Sequence, residues 1–200
     1  MAGAAGAEII NGDAAAEVLN VCTDSRAVKK GDLFFALRGE KFDGHDFVAE
    51  VAKKKVAAVV LEKSKVQSLM SKAGDCAVLA VDDVRAALGK LAAAYRKDFD
   101  LPVIAVGGSN GKTTTKELIA SVLRQKFPAL WSEASFNNDI GVPMTLLRLE
   151  KKHRAAVLEA GTNHPDELAP LVKMIAPKFG VITSIGREHL EFFEIGRAHV

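Results

Sequence analysis

The chain has 200 residues, of which 48% are hydrophobic, so it is long enough to bury a sizeable core in one large domain or two small ones. Its 27 basic and 25 acidic side chains leave a formal net charge of +2, which gives no nucleic-acid footprint, and we expect no nucleic-acid partner. No apolar run approaches the length needed to cross a membrane, so we expect no membrane insertion. Two cysteines that fit no metal or redox spacing predict reduced thiols in a cytoplasmic protein.

Apolar runs alternate with helical patterns through the first half of the chain. Residues 56–61 and 77–81 are near-continuous apolar runs, which are typical of buried strands. Asp82 then precedes a helical pattern, and we expect this aspartate to be the N-cap of the helix. The alternation predicts an α/β fold with a largely parallel sheet.

A short polar segment that ends in Pro102 separates this first half from the next apolar run. Polar residues and a proline between two patterned regions are typical of a domain boundary. We therefore predict one domain over residues 1–98 and a second domain that begins at residue 99.

A glycine-rich loop follows the apolar run 103–106 and leads into a helical pattern. A strand, a glycine-rich loop, a Lys-Thr pair and a helix together predict a phosphate cradle. N–H groups at a helix N-terminus attract anions, and glycines let the backbone approach them closely. In this cradle Lys112 would hold the outer phosphates as a point charge, and the Thr113 hydroxyl would ligate Mg²⁺.

The match to the usual phosphate-binding motif is incomplete. The spacing from Gly107 to Gly111 is one residue shorter than in that motif, which leaves open a glycine-rich turn with a surface lysine. The helix after the loop is predicted to carry one apolar face, formed by Leu118, Ile119, Val122 and Leu123.

Three strand ends in the second half carry polar or glycine-rich segments: 107–113, Glu159 and 186–189. Because ligands bind outside the carboxyl ends of strands in open α/β sheets, we expect these segments to converge. Beside a phosphate loop the Glu159 carboxylate is a good Mg²⁺ ligand, although a helix cap or an ion-pair partner is the alternative. Taken alone, His189 is more typical of a structural histidine or a proton shuttle.

Two further polar segments are candidates for ligand contacts. Asn137 and Asn138 suit a loop that faces a substrate or nucleotide, or they simply satisfy a turn. In the segment 23–26, the Ser25 hydroxyl and the Arg26 guanidinium can hold phosphate oxygens. The alternative for that segment is an Asx turn with an exposed arginine.

Five groups of residues, taken in their order and spacing, resemble the Mur ligase family. Each motif is modest, but their order and spacing are highly specific, and the resemblance runs from about residue 8 to residue 193. The groups are Asp24-Ser25-Arg26 with Gly31-Asp32-Leu33-Phe34 and Asp43-Gly44-His45; Gly108-Ser109-Asn110-Gly111-Lys112-Thr113-Thr114; Asn137-Asn138 with Ile140-Gly141-Val142-Pro143; Glu159-Ala160-Gly161 with Asn163-His164-Pro165; and Ile185-Gly186 with His189-Leu190-Glu191.

The resemblance implies a small N-terminal α/β domain that binds the UDP part of a substrate. The first part of a P-loop parallel-sheet domain, which binds ATP and Mg²⁺, would follow over residues 99–193. The implied activity is ATP-dependent amide bond formation through an acyl phosphate in peptidoglycan precursor synthesis. Within the family, the Asn-Asn-x-Ile-Gly-Val-Pro and Asn-His-Pro segments favour ligases that add D-alanyl-D-alanine to UDP-N-acetylmuramoyl-tripeptide. We expect a monomer.

The resemblance also implies roles for individual residues. Catalytic roles fall to Lys112, Glu159 and His189, and the metal site would consist of Thr113, Glu159 and His189. Ser25 and Arg26 would recognise the UDP part of the substrate. The implied ATP-binding residues are Gly108, Ser109, Asn110, Gly111, Lys112, Thr113, Thr114, Asn137 and Asn138.

The sequence departs from the family pattern at three places. The family usually has asparagine where Ser184 stands, and a Gly-Ala pair near Val56-Ala57. Residues 194–200 do not fit the family and resemble a translated sequencing adaptor, so we expect a truncated gene with an artefactual tail. The family's central domain continues past this point with a lysine that helps to hold a second metal, and a third domain follows. We therefore expect the 200-residue chain by itself not to be a competent ligase.

Three other interpretations stay open. The first is a Mur ligase that adds the third residue of the peptide. The second is a UDP-substrate-binding module without catalysis. The third is a phosphate-binding regulatory or motor NTPase, but such a protein needs no UDP-binding domain ahead of the loop, so the segment 24–26 argues against it.

Overall fold

The computed structural model describes residues 1–13, 15–161 and 167–186. The chain divides into two compact units, Met1–Leu91 and Ala92–Val200, and each unit contains its own sheet. This division lies inside a helix, whereas the predicted domain boundary follows residue 98, and that boundary stays a prediction. Among the helices of the described residues, none combines the length and the apolar character needed to cross a membrane.

The first unit is built on a five-stranded sheet in the order β1-β5-β4-β3-β2. β1 is antiparallel to β5 and the other neighbours are parallel, which confirms the predicted α/β fold. The strands are β1 (Glu8–Asn11), β2 (Val21–Cys22), β3 (Leu33–Phe35), β4 (Ala58–Glu62) and β5 (Ala77–Val81). The helices are α1 (Ala2–Ala5), α2 (Val48–Lys53) and α3 (Lys63–Ala73), and a 3₁₀ turn at Gly44–Phe47 precedes α2. The helix α4 (Val84–Arg96) begins in this unit and ends in the second one.

The core of the first unit lies around β4 and β5. Every residue of β5 is buried, because a parallel strand that is covered on both faces is apolar along its whole length. Both cysteines are free thiols, as predicted, and burial raises the pKa of the Cys76 thiol. The buried cluster beside these strands consists of Val28, Phe34, Ala36, Val48, Val51, Val56, Val59, Leu61, Leu69, Ala73, Cys76 and Val78.

Buried His45 links the 3₁₀ turn to the end of β4. Its Nδ1 lies 2.6 Å from a carboxylate oxygen of Asp43, and its Nε2 accepts a hydrogen bond from the N–H of Glu62 at 3.1 Å. Burial acts to raise the pKa of the Asp43 carboxyl, but hydrogen bonds from His45 outweigh it and lower that pKa. The segment Asp43-Gly44-His45 therefore has a structural role, which is to connect the 3₁₀ turn to the end of β4.

The second unit is a four-stranded parallel sheet in the order β7-β8-β6-β9. Its strands are β6 (Val103–Gly107), β7 (Ala129–Trp131), β8 (Ala155–Glu159) and β9 (Phe179–Ile182), and its helices are α5 (Lys112–Arg124), α6 (Gly141–Leu146) and α7 (Leu168–Ile175). Glu159 pairs with Val106, and Gly107 pairs with Ile182, so the carboxyl ends of these strands lie side by side. The predicted convergence of the strand ends is therefore confirmed for the described residues.

The apolar face predicted for α5 is only half right. Leu118 and Val122 are 62% and 69% exposed, whereas Lys116 and Ala120 are buried. Ile119 packs beside Ala120 against the sheet. The buried side of α5 is therefore one position away from the predicted side. It begins at Lys116, whose ammonium group donates to backbone carbonyls in the structure.

The predicted N-cap of α4 is wrong by one residue. The carboxylate of Asp83 accepts hydrogen bonds from the N–H groups of Arg85 and Ala86 at 2.8 and 3.0 Å, so Asp83 is the cap. Asp82 instead forms an ion pair with Lys63 at 2.9 Å. Two adjacent aspartates both satisfy the sequence rule, which therefore cannot select between them.

Candidate functional site

The glycine-rich loop between β6 and α5 depends on a glycine at its first turn. Gly108 has a φ angle of 120°, in the left-handed region that residues with a Cβ atom rarely adopt. A Cβ atom at this position would lie 2.5 Å from the Thr183 hydroxyl and 2.8 Å from the Ser184 carbonyl oxygen. The loop therefore needs glycine here both for its backbone conformation and for its close approach to the segment after β9.

Side chains and backbone from the end of β9 pin this loop. The N–H of Ser109 donates to the Ser184 carbonyl at 2.9 Å, and the N–H of Asn110 donates to the Ser184 hydroxyl at 2.8 Å. The Ser109 hydroxyl accepts from the N–H of Gly186 at 2.8 Å. Two N–H groups of the expected cradle are thus already used, which leaves the first turn of α5, where N–H groups have no intrahelical acceptor.

The ammonium group of Lys112 lies over the same loop. It donates to the carbonyl oxygens of Gly108 and Ser109, both at 2.7 Å. This arrangement keeps one positive charge at the opening of the loop, which is the place predicted for the outer phosphates of a nucleotide.

A buried carboxylate lies directly behind the start of α5. Glu159 is 1% exposed and ends β8. One of its oxygens accepts from the Thr113 hydroxyl at 2.8 Å, and the other accepts from the side-chain amide of Asn137 at 2.8 Å. Among the described residues no cation forms an ion pair with this carboxylate. A carboxylate and a hydroxyl beside a phosphate loop are the hard oxygen donors that suit Mg²⁺.

The loop before α6 supplies the amide that orients Glu159. The carbonyl of Asn137 accepts from the N–H of Gly161 at 2.9 Å. A Cβ at Gly161 would lie 2.6 Å from the Asn137 amide nitrogen, so any other residue at this position would clash with the Asn137 side chain. Asn138 turns the other way, and its side-chain oxygen accepts from the N–H groups of Ile140 and Gly141 at the start of α6.

The candidate anion-binding segment of the first unit forms a closed ion pair. The guanidinium of Arg26 donates two hydrogen bonds to the carboxylate of Asp24, at 2.9 and 2.8 Å, and its side chain is 87% exposed. These hydrogen bonds lower the pKa of Asp24 to about 2. Buried Ser25 presents its carbonyl to the ammonium group of Lys54 at 2.7 Å. Of the two interpretations of the segment 23–26, the structure without ligand therefore shows the Asx turn with an exposed arginine.

Two family models match this chain in succession. The model described as the Mur ligase family, catalytic domain, matches residues 17–96, and the Mur ligase middle domain matches residues 106–197. The chain belongs to the Mur ligase family. The second match includes residues 194–197, which lie in the segment predicted to be a foreign tail. That prediction concerns residues outside the described part of the chain.

This Mur ligase chain is similar to proteins named UDP-N-acetylmuramoyl-tripeptide–D-alanyl-D-alanine ligase. The protein of that name from Haemophilus influenzae is 39% identical over 186 residues, which are 91% of this chain and 39% of the relative. MurF from Acinetobacter baumannii is 39% identical with a TM-score of 0.85, over 94% of this chain and 40% of that structure. MurF from Thermotoga maritima in complex with ADP is 32% identical with a TM-score of 0.75, over 86% of this chain and 38% of that structure. The chain spans about two fifths of the length of these relatives.

The structure brings together most of the site residues predicted for the Mur ligase second unit. The loop 108–111, Lys112, Thr113, Glu159 and Asn137 all lie at the carboxyl edge of the sheet. Thr114 is exposed on the first turn of α5, and the Asn138 side chain accepts hydrogen bonds from Ile140 and Gly141 just before and at the start of α6. The predicted metal ligand His189 lies outside the described residues, as do the motif residues Asn163-His164-Pro165 and the tail 194–200.

Two buried residues beside this site are not among those predicted from the sequence. Lys116 is fully buried and donates to the carbonyls of Ser132 and Ala134. The Ser132 hydroxyl, also fully buried, accepts from the N–H of Glu159 at 3.1 Å. A signal for Lys116 exists, because it shares helical spacing with Ile119 and Ala120, but a lysine on that side of a helix is usually taken as solvent-exposed.

Proposed function

We propose that this chain supplies substrate recognition and ATP binding to a ligase that joins D-alanyl-D-alanine to UDP-N-acetylmuramoyl-tripeptide. The relatives that carry this activity in their names support the proposal, and one of them was solved with ADP. The observation that carries the proposal is the 2.8 Å contact between Thr113 and Glu159 at the foot of the glycine-rich loop. It gathers oxygen ligands for a divalent cation beside a helix start that binds phosphate.

The chemical obstacle in this reaction is the repulsion between a substrate carboxylate and the polyphosphate of ATP. Lys112 places an ammonium group at the loop, and the N–H groups of the first turn of α5 add a further positive potential. Thr113 and Glu159, together with His189, would hold Mg²⁺, which supplies Lewis-acid charge to the transferred phosphoryl group. Lowering this repulsion lets the carboxylate oxygen approach the γ-phosphorus.

The proposed reaction proceeds in two steps. A carboxylate oxygen of the tripeptide forms a bond to the γ-phosphorus while the bond from that phosphorus to ADP breaks. The amine nitrogen of D-alanyl-D-alanine then attacks the acyl carbon, the carbon–oxygen bond to phosphate breaks, and the amine gives up a proton. The products are an amide, ADP and phosphate. Holding the reacting oxygen and phosphorus in line is what the loop and its lysine contribute.

Ser25 and Arg26 would recognise the UDP part of the substrate. The exposed guanidinium of Arg26 can exchange its contact with Asp24 for a phosphate oxygen, because both partners are anions of similar geometry. We expect Arg26→Ala to weaken UDP binding, whereas Arg85→Ala in the same unit serves as a matched surface control. We also expect the protein to act in the cytoplasm as a monomer.

Nucleotide binding by the 200-residue chain is the direct test. Calorimetric titration with ADP, with and without Mg²⁺, should show weak binding that Mg²⁺ strengthens. No binding under either condition would contradict the assignment of the loop. We expect no turnover from this chain alone, and nanomolar ATP affinity or phosphate release by it would overturn that expectation.

The amino substrate separates this proposal from a ligase that adds the third peptide residue. Phosphate release by the full-length protein, with ATP and a UDP-muramoyl peptide, should depend on D-alanyl-D-alanine. Release that instead depends on a diamino acid or lysine would favour the other ligase. UDP-substrate binding with no phosphate release from either amine would favour a binding module without catalysis.

A further inference from the structure

We propose that Lys116 is a positioning residue, which holds the Glu159 carboxylate in the orientation that a nucleotide-bound Mg²⁺ requires. This inference rests on the proposed function of the site, since it concerns the same cation. It adds a residue that touches neither the nucleotide nor the cation.

Lys116 is buried completely, and its charge is fully matched by acceptors. Its ammonium group donates to the carbonyl oxygens of Ser132 and Ala134 at 2.7 and 2.8 Å, and lies 2.9 Å from a carboxylate oxygen of Glu117. An ammonium group has three N–H donors, so these three acceptors saturate it. A buried charge is costly unless hydrogen-bond acceptors surround it. The carbonyl groups of the turn 132–134 must therefore stay beside Lys116, and this holds the turn in place.

The turn that Lys116 holds has a backbone conformation that needs support. Ala134 has φ of 44°, in the left-handed region that residues with a Cβ rarely adopt. Its carbonyl is one of the two that receive a hydrogen bond from Lys116. The lysine therefore stabilises a turn that alanine would not adopt by itself.

This turn is connected to Glu159 from two directions. The Ser132 hydroxyl accepts from the N–H of Glu159 at 3.1 Å, and the N–H of Ser132 donates to the carbonyl of Val157 at 3.1 Å. Farther along the same loop, the Asn137 amide donates to the Glu159 carboxylate at 2.8 Å. A shift of the turn would thus move the backbone partner and the side-chain partner of Glu159 together.

Lys116 also lies one turn of α5 beyond Lys112, so the two lysines have different tasks on one helix. Lys112 bonds the glycine-rich loop, while Lys116 bonds the loop that orients the carboxylate. Groups that hydrogen-bond a metal ligand typically change metal affinity by about 10- to 100-fold when they are removed, and Lys116 holds the loop that carries two such groups, Ser132 and Asn137. We expect Lys116 to act on the Mg²⁺-dependent part of nucleotide binding.

The test compares ADP binding in Mg²⁺ and in EDTA for the wild-type chain and for Lys116→Met. Methionine keeps the length of the side chain and removes its donors. We expect the Mg²⁺-dependent gain in ADP affinity to fall by about 10-fold or more, with ADP binding in EDTA unchanged. Lys126→Met is the charge-matched control, and Ile175→Ala, a core truncation in the same unit, is the control for lost stability. Both controls should keep the gain.

A second measurement needs no metal, since the only tryptophan of the chain, Trp131, directly precedes Ser132. Quenching of its fluorescence by acrylamide should increase in Lys116→Met and stay unchanged in Lys126→Met. Should Lys116→Met fail to fold, Ser132→Ala carries the test, because it cuts the bond to Glu159 and leaves the lysine in place. It should also reduce the Mg²⁺-dependent gain.

The outcomes separate the two proposals. A wild-type chain that binds ADP equally well with and without Mg²⁺ would overturn the proposed metal site itself. A wild-type gain that Lys116→Met and Ser132→Ala both retain, with unchanged quenching of Trp131, would leave that site standing and overturn the role of Lys116.

Discussion

The hydroxyl of Thr113 lies 2.8 Å from a carboxylate oxygen of Glu159, although the two residues are 46 positions apart in the chain. The contact exists because β6 and β8 are neighbours in the parallel sheet and end at the same edge. α5 begins just beyond that edge, which brings the first hydroxyl of the helix over the carboxylate. The site therefore follows from strand order as much as from residue type.

Glu159→Gln should remove the Mg²⁺-dependent part of ADP binding. Glutamine keeps the shape of the side chain but loses the negative charge that a hard cation needs, so we expect a loss of about 10-fold or more in that gain. Calorimetry with and without Mg²⁺ measures it. Glu150→Gln is the control, because that carboxylate is exposed, is paired with Lys152 and lies outside the turn 132–134. Retention of the full gain by Glu159→Gln would remove Glu159 from the metal site.

Gly108→Ala should both destabilise the chain and weaken nucleotide binding. The positive φ and the 2.5 Å approach to Thr183 leave no room for a methyl group, and we expect a loss of about 1–3 kcal/mol in the free energy of unfolding. Urea unfolding measures the stability change. Gly180→Ala, on β9 of the same sheet, is the matched control, because a Cβ there meets nothing within 4 Å. Equal effects of the two substitutions would contradict the need for glycine at the first turn of the loop.

Asp83→Ala and Asp82→Ala should differ in their effects on stability. Asp83 caps α4 through two backbone N–H groups, and its loss should cost about 1 kcal/mol. Asp82 has an 88% exposed side chain in an ion pair with Lys63, and such pairs contribute little in water, so the change should be within about 0.5 kcal/mol. Thermal unfolding followed by circular dichroism distinguishes the two. A larger loss in Asp82→Ala would restore the sequence-based prediction of the cap.

Arg26→Ala should raise the pKa of Asp24 from about 2 toward its ordinary value of 3.8. The hydrogen bonds from Arg26 hold the folded-state pKa below the unfolded one. The stability they contribute is therefore present above pH 3.8 and lost as the pH falls through about 2. The Arg26 side chain is 87% exposed and the Asp24 side chain 43%, so solvent screens the pair and the effect on stability is small. Carboxyl NMR titration measures the shift, and an unchanged Asp24 pKa in the variant would show that Arg26 does not cause the low value.

The amino-acid sequence by itself determined the class of fold and the place of the glycine-rich loop. Both depend on local patterns: apolar runs typical of buried strands, and glycines next to a Lys-Thr pair at a helix start. The place of Glu159 at the end of a strand was predictable on the same ground, because it directly follows the apolar run 155–158. These features need no knowledge of which strands are neighbours.

Only the tertiary structure decided which side of α5 is buried, which aspartate caps α4, and what orients Glu159. The first and the last depend on partners distant in sequence: the carbonyls of the turn 132–134 for Lys116, and the Asn137 amide for the carboxylate. A buried lysine cannot be told from a surface lysine by spacing, because its environment is created by a loop that folds over it. Local residue types thus specify the elements, whereas the matching of buried polar groups specifies how they are joined.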